Sequence, residues 1–519
     1  MKKFSLSLFF QIIFFIIFLF LFVNTEYRGK DEISLAINSF FRANPLVLFS
    51  YLFSTFSFTW LLFPAVLLTI STFFLGRFFC GWICPLGTAI DFFTRFFKKV
   101  DKKIIPSNFK YYLLGFLLFV SFFGINIIVL LDPIAIFVRF LTFSFFPLFG
   151  DSVKTVWVGL YKIFGEKRDM LSFFYNFMKS NILPFRETIY PLAFFSFFIF
   201  FLVIFLERFE KRNWCKNLCP MGTLLGLISR FSIFKRFPKG LCRDCGDCKN
   251  ICPTSFDKDV LQKEECIMCM DCELKCKFKR VNFIFNVKPE LNTNFSKRRV
   301  LITSLLTGYF TAGIFNFFRD EHKSKLLRPP GVRDEREFLK KCVRCGECIK
   351  ICLKNALYPC TLDYGFYNLF TPVLIPRKGY CEYNCTLCGQ VCPTKAIPQL
   401  SLEHKKKEVI GIAVFDKNHC LPYAKKVNCM VCEEHCPIPK KAIRFEIVSE
   451  KDSEGKMVEL KKPYVVDELC IGCGICEYVC PLTSKAGIEV FKTKELMRSE
   501  LYGSYGNTKI SRSKIKNYC

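Results

Sequence analysis

The chain has 519 residues, 51% of them hydrophobic, with 65 Phe, 30 Cys, only four His and a formal net charge of +29. That length gives room for three or four domains with large cores. Lys and Arg lie beside apolar segments, so the positive-inside rule of membrane proteins explains the charge better than nucleic acid does. No C-x-x-C-H run occurs, which excludes a c-type haem attached to this chain, and no G-x-G-x-x-G fingerprint marks a dinucleotide site.

In chain order, residues 4–23 are uncharged and long enough to span a bilayer. Lys2 and Lys3 precede them and no small-residue cleavage site follows, which predicts a retained anchor. A second span is predicted over about 57–76, with the apolar stretch 46–56 ahead of it re-entrant or interfacial. A third is predicted over 112–131, a fourth over 190–206, and a weaker fifth over Leu301–Phe318. Residues 24–50 hold three Lys/Arg against three acids, residues 77–110 seven against two, and residues 207–240 eight against two. This bias places the N-terminus and the exits of the second and fourth spans in the cytoplasm. Residues 132–189 read as a long loop of mixed charge. A fifth span would carry everything after about residue 319 to the outside.

The apolar part contains an internal repeat. Cys80-Gly-Trp-Ile-Cys84-Pro85-Leu-Gly87-Thr88 and Cys215-Lys-Asn-Leu-Cys219-Pro220-Met-Gly222-Thr223 share C-x3-C-P-[LM]-G-T, each after an even-numbered span. Asn44-Pro45-Leu46 and Asp132-Pro133-Ile134 follow the odd spans. Two related hairpins therefore present Cys80, Cys84, Cys215 and Cys219 at one surface. These four are candidate ligands of a metal or a cluster, with a disulfide or plain thiols as the open alternatives.

Six cysteine runs follow, and their spacing is the strongest signal in the chain. Cys470-Ile-Gly-Cys473-Gly-Ile-Cys476-Glu-Tyr-Val-Cys480-Pro481 is a C-x2-C-x2-C-x3-C-P run, the spacing that holds [4Fe–4S] clusters in bacterial ferredoxins. Three thiolates on one tight loop take three irons of a cube, and the fourth Cys ligates the neighbouring cube. Zinc sites built of cysteine use two separated C-x2-C pairs instead. The first block carries Cys242, Cys245, Cys248 and Cys252, then Cys266, Cys269, Cys272 and Cys276. The crossing rule groups Cys242, Cys245 and Cys248 with Cys276, and Cys266, Cys269 and Cys272 with Cys252.

The second block carries Cys342, Cys345, Cys348 and Cys352; Cys381, Cys385, Cys388 and Cys392; Cys420, Cys429, Cys432 and Cys436; and Cys470, Cys473, Cys476 and Cys480. The outer two runs are regular and the inner two are stretched at the first gap, which suggests nesting. Nesting groups Cys342, Cys345 and Cys348 with Cys480, and Cys470, Cys473 and Cys476 with Cys352. It likewise groups Cys381, Cys385 and Cys388 with Cys436, and Cys420, Cys429 and Cys432 with Cys392. Cys360 and Cys519 fit no run and read as ordinary thiols. Between the blocks, Ser296-Lys297-Arg298-Arg299-Val300-Leu301-Ile302 reads as a twin-arginine-like export signal, although Phe is missing two places after the arginine pair; a plain basic flank is the alternative.

The expected fold is thus an α-helical membrane domain of about five transmembrane helices plus α+β bacterial-ferredoxin-like [4Fe–4S] domains, one two-cluster and one four-cluster. The expected domains are residues 1–235 (four transmembrane helices with both C-x3-C-P motifs), 236–290 (two-cluster, cytoplasmic), 291–320 (export-like segment and fifth helix) and 321–519 (four-cluster, periplasmic). Six [4Fe–4S] clusters are expected in all.

On RFFCGWICPLG, WCKNLCPMG and the two-cluster tail, residues 1 to about 285 resemble the NapH-type membrane ferredoxins, the membrane components of quinol dehydrogenases. Residues 296–519 resemble the NapG/MauM ferredoxins, which carry a twin-arginine leader and four [4Fe–4S] clusters. The chain looks like a fusion of the two. The resemblance implies oxidation of menaquinol or ubiquinol in the bacterial inner membrane. It also implies delivery of electrons to a periplasmic c-type cytochrome and/or a molybdenum reductase, with nitrate reductase the typical acceptor. An accessory protein that matures a metalloenzyme is a rival from another class, and an amine dehydrogenase or nitrous oxide reductase is a rival partner. Asp132, Glu26, Asp31 and Glu32 are available as proton acceptors, although each alone reads as a solvated loop carboxylate.

Overall fold

The computed structural model describes residues 6–238 (apart from 30, 34, 97–103, 107, 164–167 and 186–187), 248, 251–254, 265–285 (apart from 277 and 279), 302–309, 311, 313, 326–451 and 457–492. The chain forms two units. One comprises Met1–Glu26, Ser34–Phe318 and Leu339–Cys345; the other comprises Tyr27–Ile33, Arg319–Phe338 and Gly346–Cys519. The arginine pair Arg298-Arg299, Cys242, Cys245 and Cys519 lie outside the described residues.

Phe-rich apolar segments without charge build the helices of the first unit. They are α1 (Leu6–Asn24), α2 (Asn38–Arg42), α3 (Pro45–Thr55), α4 (Phe63–Leu75), α5 (Phe78–Trp82) and α6 (Pro85–Phe93), followed by α7 (Phe109–Phe122), α8 (Pro133–Phe140), α9 (Phe146–Ile163), α10 (Arg168–Asn181), α11 (Ala193–Leu206) and α12 (Pro220–Ser229). The apolar run at 46–76 breaks at Phe56, which sits in the left-handed region (φ 52°) and ends α3. The stretch expected to be re-entrant or interfacial is therefore a helix of its own.

Leu6–Asn24 and Pro133–Lys162 are the two helices among the described residues long and apolar enough to cross a membrane. Trp60–Leu75, Phe109–Phe122 and Ala193–Leu206 lie where the second, third and fourth spans were expected, and they are apolar but shorter. At 1.5 Å per residue, such helices of about 15 residues reach only part of the roughly 30 Å hydrocarbon layer. The region expected as a loop, 132–189, is instead mainly helical, and holds the second of the two long helices. Residues 302–309, 311 and 313 of the expected fifth span are helical.

This unit wears many large apolar side chains outside, in addition to those in its core. Phe9, Ile16 and Phe20 of α1, Leu67, Ile70 and Phe73 of α4, and Phe194, Phe198 and Phe205 of α11 are exposed. Polar groups lie within: Gln11, Asn44, Thr72, Asp132, Arg139 and Ser196 are buried. Monomeric water-soluble surfaces rarely carry apolar patches this extensive. Asn44 and Asp132, the matching positions of the repeat, cap α3 and α8, each followed by Pro at the first helical position. Both are fully buried, and Asn44 Nδ2 donates to Asp132 Oδ1 (2.9 Å) and Oδ2 (2.8 Å). The repeat is thus closed across its two halves by one hydrogen-bonded pair, and Asp132 is not the solvated loop carboxylate its sequence position suggests. Glu26 is also buried and accepts from the Phe185 N–H (3.0 Å).

At the end of this unit, β1 (Phe234–Pro238) pairs antiparallel with β2 (Val281–Phe285), enclosing the first ferredoxin block in sequence. The second unit uses the same device. β5 (Ile412–Phe415) pairs antiparallel with β8 (Ile488–Phe491), enclosing the third and fourth runs of the second block. Between those runs lies the hairpin of β6 (Ile443–Lys451) and β7 (Met457–Val465), in register Ile443↔Val465 to Lys451↔Met457. β3 (Leu357–Pro359) and β4 (Pro372–Leu374) pair between the first and second runs.

The Asn44–Asp132 pair gives a prediction. Asn44→Ala leaves a buried carboxylate short of a donor, so it should cost about 1–3 kcal/mol in the thermal unfolding of detergent-solubilised protein. The Asn44→Ala/Asp132→Ala double variant should lose clearly less than the sum of the two singles. Strict additivity would contradict the contact.

Candidate iron–sulfur sites

Three of the ferredoxin runs fold around left-handed residues that flank a middle cysteine. They are Met268 (φ 55°) and Met270 (φ 61°) around Cys269, Arg344 (φ 50°) and Gly346 (φ 86°) around Cys345, and Gly472 (φ 67°) and Gly474 (φ 85°) around Cys473. Alternation of this kind turns successive backbone N–H groups into a concave nest that suits an anion. Gly472 has a second reason to lack a side chain: a Cβ there would come within 2.3 Å of Gly411 O. The last cysteine of four runs takes a backbone donor. Arg280 N–H donates to Cys276 Sγ (3.2 Å), Ala356 to Cys352 (3.2 Å), Ile397 to Cys392 (3.4 Å) and Gly487 to Cys480 (3.3 Å). Such bonds lower the charge density on a ligating thiolate and tune its potential.

The grouping of thiols follows the order of the runs, not the nesting expected from their spacing. A pocket in the second unit is lined by Cys436, Cys470, Cys473 and Cys476, with Ile438 and Val490 among its apolar walls. Cys420 and Cys432 each lie within electrostatic reach of Cys429 and Cys480. The third and fourth runs therefore exchange their fourth cysteines with each other. Cys352 lies within reach of Cys385, and both Cys381 and Cys388 lie within reach of Cys352, so the second run takes its fourth thiol from the first. The physical reason is closure. The short helices Val431–Glu434 and Ile475–Tyr478 pack together inside the β5–β8 frame, and Glu347–Lys350 packs on Leu387–Gln390. The nested sets joining Cys470, Cys473 and Cys476 to Cys352, and Cys381, Cys385 and Cys388 to Cys436, are thereby corrected. In the first block, Cys266, Cys269 and Cys272 all lie within reach of Cys252, the grouping expected from sequence.

Burial makes these thiols poor acids unless a cation answers them. Burial first, then the thiolates of Cys470, Cys381 and Cys436, push Cys473 up to about 12, against a lowering contribution from the Ile475 N–H. Burial, Cys432 and Cys429 likewise push Cys420 up to about 12. At neutral pH such groups hold protons, and iron binding must displace them. The residues fit cubanes: nests, sulfur acceptors and four thiols around one apolar pocket. Cys360, expected to be an ordinary thiol, is fully buried and accepts from Arg328 Nη1 at 3.7 Å.

The C-x3-C-P cysteines lie in the first unit, and the structure adds two residues that the motif did not include. Arg77 and Arg212 each precede the first cysteine by three places, so the repeat reads R-x-x-C-x3-C-P. They cross over: Arg77 Nη2 donates to Cys215 O (2.8 Å), and Arg212 Nη1 donates to Cys80 O (2.9 Å). Arg77 Nε also points at its own Cys80 Sγ (3.4 Å), and Arg212 pairs with Asp91 through two bonds of 3.0 and 2.5 Å. Gly222 leaves room for this crossing, since a Cβ would meet Arg77 Nη2 at 2.3 Å. The upstream arginine was legible in RFFC and RNWC, and only its partner across the repeat was not. Among the described residues, no three His, Cys, Asp or Glu side chains meet closely enough to hold one metal ion.

The pairing gives a prediction. Cys436→Ser and Cys473→Ser should each remove the same cubane, seen as equal losses of iron and of one paramagnetic signal. The double variant should lose no more than either single. Cys352→Ser should act on the signal of Cys385→Ser instead; a shared signal between Cys352 and Cys473 would restore the nested order.

A family model described as "4Fe-4S binding domain" matches residues 56–103 and again residues 190–239, the two halves that carry the C-x3-C-P motifs. A model described as "4Fe-4S dicluster domain" matches residues 425–484, across the third and fourth runs. The methylamine utilization ferredoxin-type protein MauM of Methylorubrum extorquens is 35% identical over 167 residues, covering 32% of this chain and 72% of that protein. The ferredoxin-type protein NapG of Escherichia coli K12 is 35% identical over 162 residues, covering 31% and 68%. The ferredoxin-type protein NapF of the same organism is 28% identical over 158 residues, covering 30% and 82%. No solved structure matches the chain. The chain belongs to the NapG/MauM family of ferredoxin-type proteins, and is an iron–sulfur electron-transfer protein.

Proposed function

We propose that this chain is a membrane-bound quinol dehydrogenase component, fusing a NapH-type membrane part to its NapG/MauM-type ferredoxin part. Menaquinol or ubiquinol gives two electrons and releases two protons. The electrons pass singly along six [4Fe–4S] clusters to a periplasmic c-type cytochrome and/or molybdenum reductase, with periplasmic nitrate reductase the best-fitting acceptor. The protein sits in the bacterial inner membrane with its N-terminus in the cytoplasm and the residues after the fifth apolar segment outside.

One observation carries the reading. The unit that holds the C-x3-C-P cysteines and the first ferredoxin block has apolar helices with Phe, Leu and Ile exposed and polar groups buried. That surface suits a bilayer, where a quinol dissolves, and the same chain carries the thiolate sets that store electrons. Four thiolates from each pair of ferredoxin runs would hold each cubane, which supplies one-electron storage. The protein's part is to keep those thiolates buried, to orient their donors and to exclude water. The clusters of the second block comprise the two sets around Cys436 and Cys480, the set that includes Cys352, and the remaining thiolates Cys342, Cys345, Cys348 and Cys392. In the first block, Cys242, Cys245, Cys248 and Cys276 complete the count of six.

The test is anaerobic addition of a menaquinol analogue to the purified, cluster-loaded protein while the iron–sulfur absorbance is followed. Bleaching within the time of turnover is expected. Clusters that dithionite bleaches but quinol leaves oxidised would overturn the quinol reading and favour a maturation role.

A further inference from the structure

The strongest unexplained feature of the first unit is the centre of its repeat. Four helices, α3, α6, α8 and α12, all begin in the same way, with a capping residue and then Pro: Asn44, Cys84, Asp132 and Cys219. These four caps come together. Asn44 bonds Asp132, Cys84 lies within electrostatic reach of Asp132 and Cys80, and Cys219 lies within reach of Cys80, Cys84 and Arg77. Cys215 lies within reach of Arg212, Cys219 and Cys84. Helix N-termini carry partial positive charge, so four of them converge on one buried place together with two guanidinium groups. Cys80, Cys84 and Cys219 are 9%, 7% and 4% exposed.

This surrounding is built for negative charge held by four sulfurs. Two disulfides would leave Arg77 Nε, which points at Cys80 Sγ, with no charged sulfur to answer, although Arg77 also faces Glu265 and Arg212 pairs with Asp91. A single ion is also a poor fit, because no three ligands meet tightly enough. The ferredoxin sets share that openness, since in a cluster each thiolate takes its own iron.

The site has a neighbour on either side within the same unit. On one side the first ferredoxin block is pressed against the Cys80 loop. Trp82 Nε1 donates to Met268 O (2.8 Å), a Cβ on Gly81 would strike Ile267 O at 2.3 Å, and Arg77 and Lys110 both pair with Glu265. On the other side, the segment Leu339–Cys345 is held by Arg344 Nη1 donating to Asn126 O and by Ser54 Oγ (2.9 Å) and Asn126 Nδ2 (3.2 Å) donating to Lys340 O. Cys345 lies within electrostatic reach of Arg139, which itself faces Asp132. Cys80, Cys84, Cys219, Ile267 and Cys345 belong to one continuous buried core.

We propose that Cys80, Cys84, Cys215 and Cys219 hold a seventh iron–sulfur cluster, which joins the two ferredoxin blocks electrically through the core of the membrane unit. The transfer is of one electron at a time. The cubane at Cys252, Cys266, Cys269 and Cys272 is oxidised by one electron as the central cluster is reduced. The central cluster is then reoxidised as the cubane that uses Cys342 and Cys345 is reduced. No bond forms or breaks and no proton moves. This rests on the reading of the chain as an electron carrier and deepens it, because it makes the first block part of the main path.

The test uses the full chain, purified anaerobically, with iron and acid-labile sulfide assays and electron paramagnetic resonance after reduction with dithionite. Iron beyond what six cubanes hold is expected. Cys84→Ser and Cys219→Ser should each abolish one and the same signal, keep the ferredoxin signals, and slow the spin relaxation of the cubane at Cys266. Cys360→Ser, at a buried cysteine outside every motif, should change none of these. Wild-type iron that six cubanes fully account for overturns the proposal without any variant, as does recovery of the four cysteines as disulfides. Dithionite replaces quinol as reductant, so failure of quinol oxidation leaves this result standing.

Discussion

A buried thiol must be answered by a proton, a metal or a positive charge, and this chain buries such groups in both of its units, at Cys80, Cys84 and Cys219 and again at Cys432 and Cys473. That constraint explains features that sequence alone leaves unconnected. In the ferredoxin runs the answer comes from nests of backbone N–H groups and from donors such as Ala356 and Gly487 aimed at sulfur. In the first unit it comes from Arg77, Arg212 and the starts of proline-headed helices. Burial alone pushes the thiols the wrong way, as Cys420 and Cys473 show, so the protein without its iron holds protons where the loaded protein holds charge.

The repeat supplies the economy of the first unit. One motif, an arginine, two cysteines, a proline and a small residue, is used twice. Each arginine reaches the backbone of the other copy instead of its own. Exchange of this kind makes each half incomplete without its partner, as the hydrogen-bonded capping pair Asn44 and Asp132 also does. Gly222 shows how tightly the exchange is fitted, since a single methyl group there would collide with the crossing guanidinium.

Much of this was legible in the sequence. Spacing singles out the cysteines of the six runs, and the proximity of Cys266, Cys269 and Cys272 to Cys252 agrees with the ordinary crossing rule. The order of exchange in the second block was not legible. The regularity of the outer runs says nothing about which strands close the module, and it is the pairing of β5 with β8 that sets the third run against the fourth. The helices at 133–163 were also hidden, because scattered charges such as Arg139, Asp151 and Lys154 make a partly buried helix resemble a loop. The apolar stretches at 112–131 and 190–206 each hold an apolar helix, α7 and α11, shorter than the expected span, since hydropathy continues past the turns that end α7 and begin α11. Asp132 was visible only as a carboxylate near a proline, and its burial against Asn44 is a property of the fold.

If the two ferredoxin blocks are linked, electrons must cross the first unit through this one chain. Purified protein in sealed vesicles, with ferricyanide trapped inside and membrane-impermeant dithionite outside, tests that directly. Protein-dependent loss of the trapped ferricyanide colour is the predicted result. Ferricyanide that stays oxidised, while the outward-facing iron–sulfur absorbance bleaches, would contradict a path from one ferredoxin block to the other.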